Sequence, residues 1–187
     1  QAEELAPEDP RADLLKADFQ EGDGDVEGAL ESVERAYGKA PEALAVGVRY
    51  ARLLSEVGRG EEAVKALEGL SPRLGKARTL MELGRVRVQQ GRLGEARELF
   101  AKAVEEEPKL VEGYYELGMA SFGEGDLEGA AEALREADRL DMSDMRPLAA
   151  LCALQRRAGR TEDWRVTRME LERRFPERMD AVRSACK

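Results

Sequence analysis

The sequence predicts an all-α protein, a solenoid of stacked helix-turn-helix units, and three observations carry that reading. Charged residues make up 37% of the chain and aromatics only 5%, a composition rich in strong helix formers and poor in the bulky residues that favour strands. The chain is self-similar at a period of 33 to 34 residues, which is the signature of a repeat architecture. Gly and Pro recur at fixed places within each period, where they punctuate helices.

The fourth unit, GYYELGMASFGEGDLEGAAEALREADRLD, reads as two helices folded back around Gly123-Glu124-Gly125-Asp126. Sliding it back by 34 places sets Leu83-Gly84 under Leu117-Gly118, Gly91 under Gly125, Ala96 under Ala130, Phe100 under Leu134 and Ala103 under Ala137. A 33-residue step back from there aligns Gly58, Ala63 and Leu67. A further step aligns Ala29, Val33, Ala36 and Pro41, with a turn at Gly22-Asp23-Gly24 that reads as one residue longer. Forward of the fourth unit, Leu151-Cys152, Gly159, Leu171 and Pro176 supply a fifth. The expected units are about 9–43, 44–76, 77–110, 111–144 and 145–178. A flexible lead-in is expected at 1–8, and a capping helix or truncated sixth unit at 177–187, with Met179, Val182 and Ala185 on one face.

These residues are where the chain resembles the tetratricopeptide repeat family, whose pattern is a bulky residue, a Leu-Gly step, a small residue, a bulky residue, Ala, then Pro. The resemblance covers nearly the whole chain and implies a right-handed superhelical solenoid with a continuous core. Physical reasoning agrees: Gly84 and Gly118 lack a Cβ where two helices must approach, with Ala96 and Ala130 facing them. Pro41, Pro108 and Pro176 end each second helix. The fifth unit departs from the pattern, because Trp164 stands where other copies have Ala and Arg168 where they have a large apolar residue. Altered packing or a register shift of about one residue is expected there.

In this family the first helices line a concave surface. The resemblance therefore places Arg52, Ser55 and Glu56, then Arg78, Met81, Arg85 and Val88, then Glu112, Tyr115, Met119 and Phe122, and finally Arg146, Ala149, Ala153, Arg156 and Arg157 on that side. Tyr115, Met119 and Phe122 form one helical stripe, distinct from the Tyr114, Leu117 and Gly118 stripe used for packing. With Arg78, Met81, Arg85, Arg146 and Arg156 around it, the strip suits a protein or peptide partner bearing apolar and acidic residues. The competing expectation is that neighbouring units bury these side chains.

Several function classes are disfavoured. The chain has no His, so it lacks the usual general base and commonest metal ligand, and two Cys cannot make a zinc ribbon. The acidic run at Gly22-Asp23-Gly24-Asp25 lacks the spacing and terminal Glu of a calcium loop. No cofactor, metal or catalytic site is expected, and the chain reads as a non-enzyme. A net charge of −9 argues against a nucleic-acid partner. The charge is polarised, since Met145–Lys187 carries eleven basic against six acidic residues. No apolar run reaches the ~20 residues needed to span a bilayer.

Cys152 and Cys186 lie one repeat apart. Helix axes pack about 8 to 10 Å apart and a disulfide needs Cα atoms within roughly 7 Å, so two buried thiols are expected, with a disulfide as the alternative. Free thiols would suit the cytoplasm. A disulfide, or a signal removed ahead of Gln1, would suit a periplasmic or lipid-anchored protein. The expected function is an interaction scaffold or adaptor. The alternatives are a lipoprotein assisting pilus secretin assembly, resting on fold-level analogy, and a structural spacer. The Ala, Gly, Arg and Glu bias without Asn or His reads as bacterial.

Overall fold

The computed structural model describes residues 9–187, so the expected lead-in at 1–8 lies outside the described residues. Those residues are all-helical, with eleven α-helices and one 3-10 turn, and they fall into two compact units. The first ends at Arg92 and the second spans Leu93–Lys187, so the division lies in the turn of the third repeat.

The first unit holds α1 (Pro10–Gly22), α2 (Val26–Lys39), α3 (Leu44–Glu56), α4 (Gly60–Leu74) and α5 (Lys76–Gln89). Helices α1 and α2 pack as a hairpin, as do α3 and α4. The starts of α1 and α2 are encoded locally: Asp9 accepts from the Arg11 amide and Asp25 from the Gly28 amide, both at 2.9 Å, satisfying orphan N–H groups. Gly24 and Gly58 sit at φ +79° and +82° in the two hairpin turns, a region where an L side chain is strained. The first turn is Asp23-Gly24-Asp25 and the second Val57-Gly58-Arg59, equal in length. The longer first turn expected from sequence is therefore corrected: Gly24, not Gly22, is the partner of Gly58. The core of this unit gathers Ala29, Leu30, Val33, Ala51, Leu53, Leu54 and Leu67.

The second unit holds α6 (Leu93–Glu106), α7 (Val111–Glu124), α8 (Leu127–Leu140), α9 (Met145–Arg157), α10 (Thr161–Arg174), the 3-10 turn Pro176–Arg178 and α11 (Met179–Ala185). Helix α7 is gripped by α6 on one side and α8 on the other. A Cβ placed on Gly118 would lie 2.7 Å from Leu134 Cγ and 3.2 Å from the Ala130 carbonyl, so only Gly permits this approach. Leu134 is fully buried by it, which contributes roughly 2 kcal/mol of apolar transfer.

One repeat further on, the Gly118 and Ala130 pair is replaced by Cys152 and Trp164, two larger residues, and α10 packs less closely on α9 than α8 does on α7. Of the two expected alternatives it is the packing that is altered and not the register: Thr167 and Leu171 stay buried where Ala133 and Ala137 are. Trp164 is instead turned toward the chain end. Its indole Nε1 donates to the Cys186 carbonyl at 3.0 Å, and the guanidinium groups of Arg156 and Arg168 each lie 5.6 Å from its ring. Arg156 donates to the same carbonyl at 3.1 Å.

Helix α11 closes this unit against α9 and α10, with Val182 fully buried. Cys186 follows its last turn and is joined to Cys152 by a disulfide, their Cα atoms 5.4 Å apart. The two-thiol expectation assumed a full helix lying at the ordinary interaxial distance. The closing helix has only seven residues, and Cys186 sits at its cap, where the backbone can turn in toward α9.

Candidate functional site

The stripe of interest lies on α7, where it meets α9. Tyr115 and Phe122 are half-buried and pack against the core that α8, α9, α10 and α11 share. Each ring is covered by an arginine from α9: Arg146 lies 5.1 Å from the Tyr115 ring centre, and Arg157 lies 5.1 Å from that of Phe122. Cation and ring attract through the ring quadrupole, worth about 0.5 to 1 kcal/mol at sites this exposed. Met119, between the two rings on α7, remains 38% exposed.

The two arginines differ in what else they hold. The Arg146 guanidinium bonds Asp144 at 3.0 Å and Glu112 at 3.0 Å, and these carboxylates push its pKa above the ordinary arginine value. Burial pushes the Tyr115 hydroxyl up, against the opposing pull of Arg146. Arg157 has no ion pair among the described residues and is exposed. Chemically, this face offers a flexible thioether between two aromatic rims and one cation without a carboxylate partner among the described residues. It can receive a bulky apolar side chain with a carboxylate beside it.

The remaining residues expected on this side are placed differently. Arg156 faces Trp164 and the Cys186 carbonyl, so of the adjacent arginines it is Arg157 that attends Phe122. In the first unit, Met81 occupies on α5 the place Tyr115 has on α7, yet it is 4% exposed and belongs to the interior, which corrects its assignment to the groove. Ser55 is buried too, with its hydroxyl unpartnered. First helices of neighbouring repeats touch, as α3 and α5 do here, so a stripe reckoned as outward from one helix is partly a packing surface. Arg78 is exposed on α5, and Arg85 bonds Glu82 at 3.1 Å.

A tetratricopeptide repeat model matches residues 49–109 and again 81–144, and a second tetratricopeptide repeat model matches residues 20–77. The chain belongs to the tetratricopeptide repeat family. No curated protein matches it significantly. Solved structures of the family share the fold at low identity. PilW, titled a widely conserved type IV pilus biogenesis factor, is 16% identical, with a TM-score of 0.76 over 97% of this chain and 84% of its own. A thermophilic repeat protein of Thermus thermophilus, TTC0263, is 19% identical, with a TM-score of 0.70 over 94% and 98%. YrrB, titled a repeat protein with an unusual peptide-binding site, is 18% identical, with a TM-score of 0.62 over 95% and 92%.

As tetratricopeptide repeats are interaction modules in general, the chain is read at that level as a protein-interaction scaffold. No described helix is long and apolar enough to cross a membrane.

Proposed function

We propose that the chain is a non-catalytic scaffold whose α7–α9 face holds an apolar, acid-flanked segment of a protein partner. The observation that carries this is the exposed Met119 between two arginine-covered rings, Tyr115 and Phe122, with the Arg157 charge not engaged by a carboxylate among the described residues. Aromatic and arginine clusters are where binding energy concentrates at interfaces. A relative of this fold, YrrB, is described as having a peptide-binding site, which supports the class of ligand. Arg78 and Arg85 on α5 belong to the same proposal as contacts for acidic residues, to be tested separately in the first unit.

The test is a photo-crosslinking aromatic residue at Met119, irradiated in native extract, with Phe122→Glu and Arg157→Glu in the same background as the control. The expected result is one captured protein, lost in the control, whose purified segment then binds the unmodified chain. Equal capture with and without the control substitutions would remove this face from consideration.

The disulfide favours a second reading, a factor acting in an oxidising compartment. The fold shared with PilW makes assembly of a surface structure one form that such a role takes. Quenching cells of the source in acid and alkylating the denatured protein tests this reading: Cys152 and Cys186 stay unlabelled if the bond is held in the cell, and both label if it is not.

A further inference from the structure

The opposite side of α7 carries a second feature. Helices α6 and α8 flank it and leave a hollow of about 490 Å³, floored by Tyr114 and Leu117 and walled by Ala101 and Ala133. Arg97 and Asp126, paired at 3.3 Å, also line it. Glu98 on α6 and Glu132 on α8 stand on opposite walls, exposed and with no ion pair among the described residues.

The same place one repeat on provides an internal comparison. Between α8 and α10, over α9, the residues 34 positions later are Arg135 for Ala101, Thr167 for Ala133 and Val166 for Glu132, and the hollow shrinks to about 300 Å³. The repeat fold therefore does not require the larger space. It is walled by two alanines where the next repeat has Arg135 and Thr167, and is bordered by two carboxylates without an ion pair among the described residues.

We propose that the α6–α8 groove is a second docking site, for a basic amphipathic helix of a partner protein. Charge complementarity selects the occupant: carboxylates on both walls and an apolar floor call for an apolar ridge flanked on each side by Lys or Arg. Fourteen-residue walls run about 21 Å, so three to four turns of a partner helix fit along them. This ligand is opposite in charge to the one proposed for the α7–α9 face, and α7 separates the two sites.

The probe is a synthetic 14-residue helical peptide of Leu, Ala and Lys, with Leu at i, i+3 and i+7 and Lys on both flanks, titrated calorimetrically into the whole chain. Its counterpart carries Glu for every Lys. Glu98→Lys with Glu132→Lys should weaken the Lys peptide on the order of tenfold or more. Ala101→Arg with Ala133→Thr, which copies the residues the next repeat already tolerates, should weaken it to a similar degree. Glu27→Lys with Glu31→Lys on α2 makes the same charge change elsewhere and should alter affinity little, and Arg157→Glu should not weaken it. If the α2 pair weakens the peptide as much as the groove pair, the attraction is diffuse and the proposal is overturned. Equal binding of the Glu peptide, or an unchanged affinity in the Ala101→Arg, Ala133→Thr variant, overturns it as well.

Discussion

Helix α1 of the first unit and helix α11 of the second are each held to their neighbours, and by different chemistry. Only Ala17 of α1 is fully buried, while Leu15 and Phe19 are 54% and 77% exposed. Besides the contact of Ala17 and Leu14 with the core, polar bonds tie α1 to α2: Asp13 bonds Lys39 at 2.7 Å and Arg35 at 3.0 Å, and the Ser32 hydroxyl donates to Gln20 at 2.7 Å. Helix α11 is half as long but is fastened by buried Val182, by the Trp164 and Arg156 bonds to the Cys186 carbonyl, and by the disulfide. Exposed ion pairs contribute little and are screened by salt, whereas a covalent closure is indifferent to ionic strength. The two helices should therefore respond to different perturbations.

The strongest way to sharpen this contrast is to cut the bond. With Cys152 and Cys186 separated by 34 positions, chain-entropy arithmetic puts the loss at about 4 kcal/mol on reduction or in Cys186→Ser. Urea unfolding with and without a dithiol should show that loss, with faster hydrogen exchange in α11 and unchanged exchange in α1. Gly118→Val comes next. With Leu134 Cγ and a backbone carbonyl in the way, overpacking should cost about 1 to 3 kcal/mol. Gly47→Ala in the first unit should cost less than Gly118→Ala, because its added Cβ meets the side-chain ends of Leu70 and Tyr37 rather than a backbone carbonyl; equal losses in these two Ala variants would show that the two interiors yield alike.

Trp164→Phe removes the donated bond together with the pyrrole part of the indole that Arg156 and Arg168 cover, so at least about 1 kcal/mol should go, and exchange should quicken in α11. The smallest effect belongs to Asp13→Asn, under about 1 kcal/mol. The Lys39 bond lowers the Asp13 pKa, with Arg35 assisting. A carboxyl lowered on folding contributes stability above its unfolded pKa, about 3.9, and loses it as pH falls through the lower folded value. Exchange in α1 should therefore quicken below about pH 4 and also in high salt, and the Asn variant should respond less to both, what remains coming from the Asp18 and Glu21 pairs with Arg49 and Arg52. An α1 unaffected by salt would break the comparison.

Much of this was legible in the sequence, for local reasons. The turn glycines act within three or four residues, so their spacing located the hairpins, and the Asp9 and Asp25 caps are equally local signals that went unread. Trp164 and Arg168 were legible as breaks in the pattern, but not as a clasp, because the carbonyl that Trp164 holds is 22 residues beyond it. The disulfide was obscured by the same distance: a spacing of one repeat suggested equivalent places on full helices, and α11 is too short for that. Met81 and Tyr115 share a repeat position and differ in burial, since periodicity gives direction from a helix axis but not what lies in that direction. The α6–α8 hollow was missed outright. Its signal was there in the substitution of Ala101 and Ala133 by Arg135 and Thr167 one period later, a comparison of repeats for where they differ.

Trp164 is the only tryptophan in the chain, and it sits under two guanidinium groups with its indole N–H committed to the residue that bears the disulfide. Its emission is therefore a label-free gauge of one event. Whatever unseats the last turn of α11, whether a reductant, a partner or heat, will announce itself as a change in the colour and intensity of a single fluorophore.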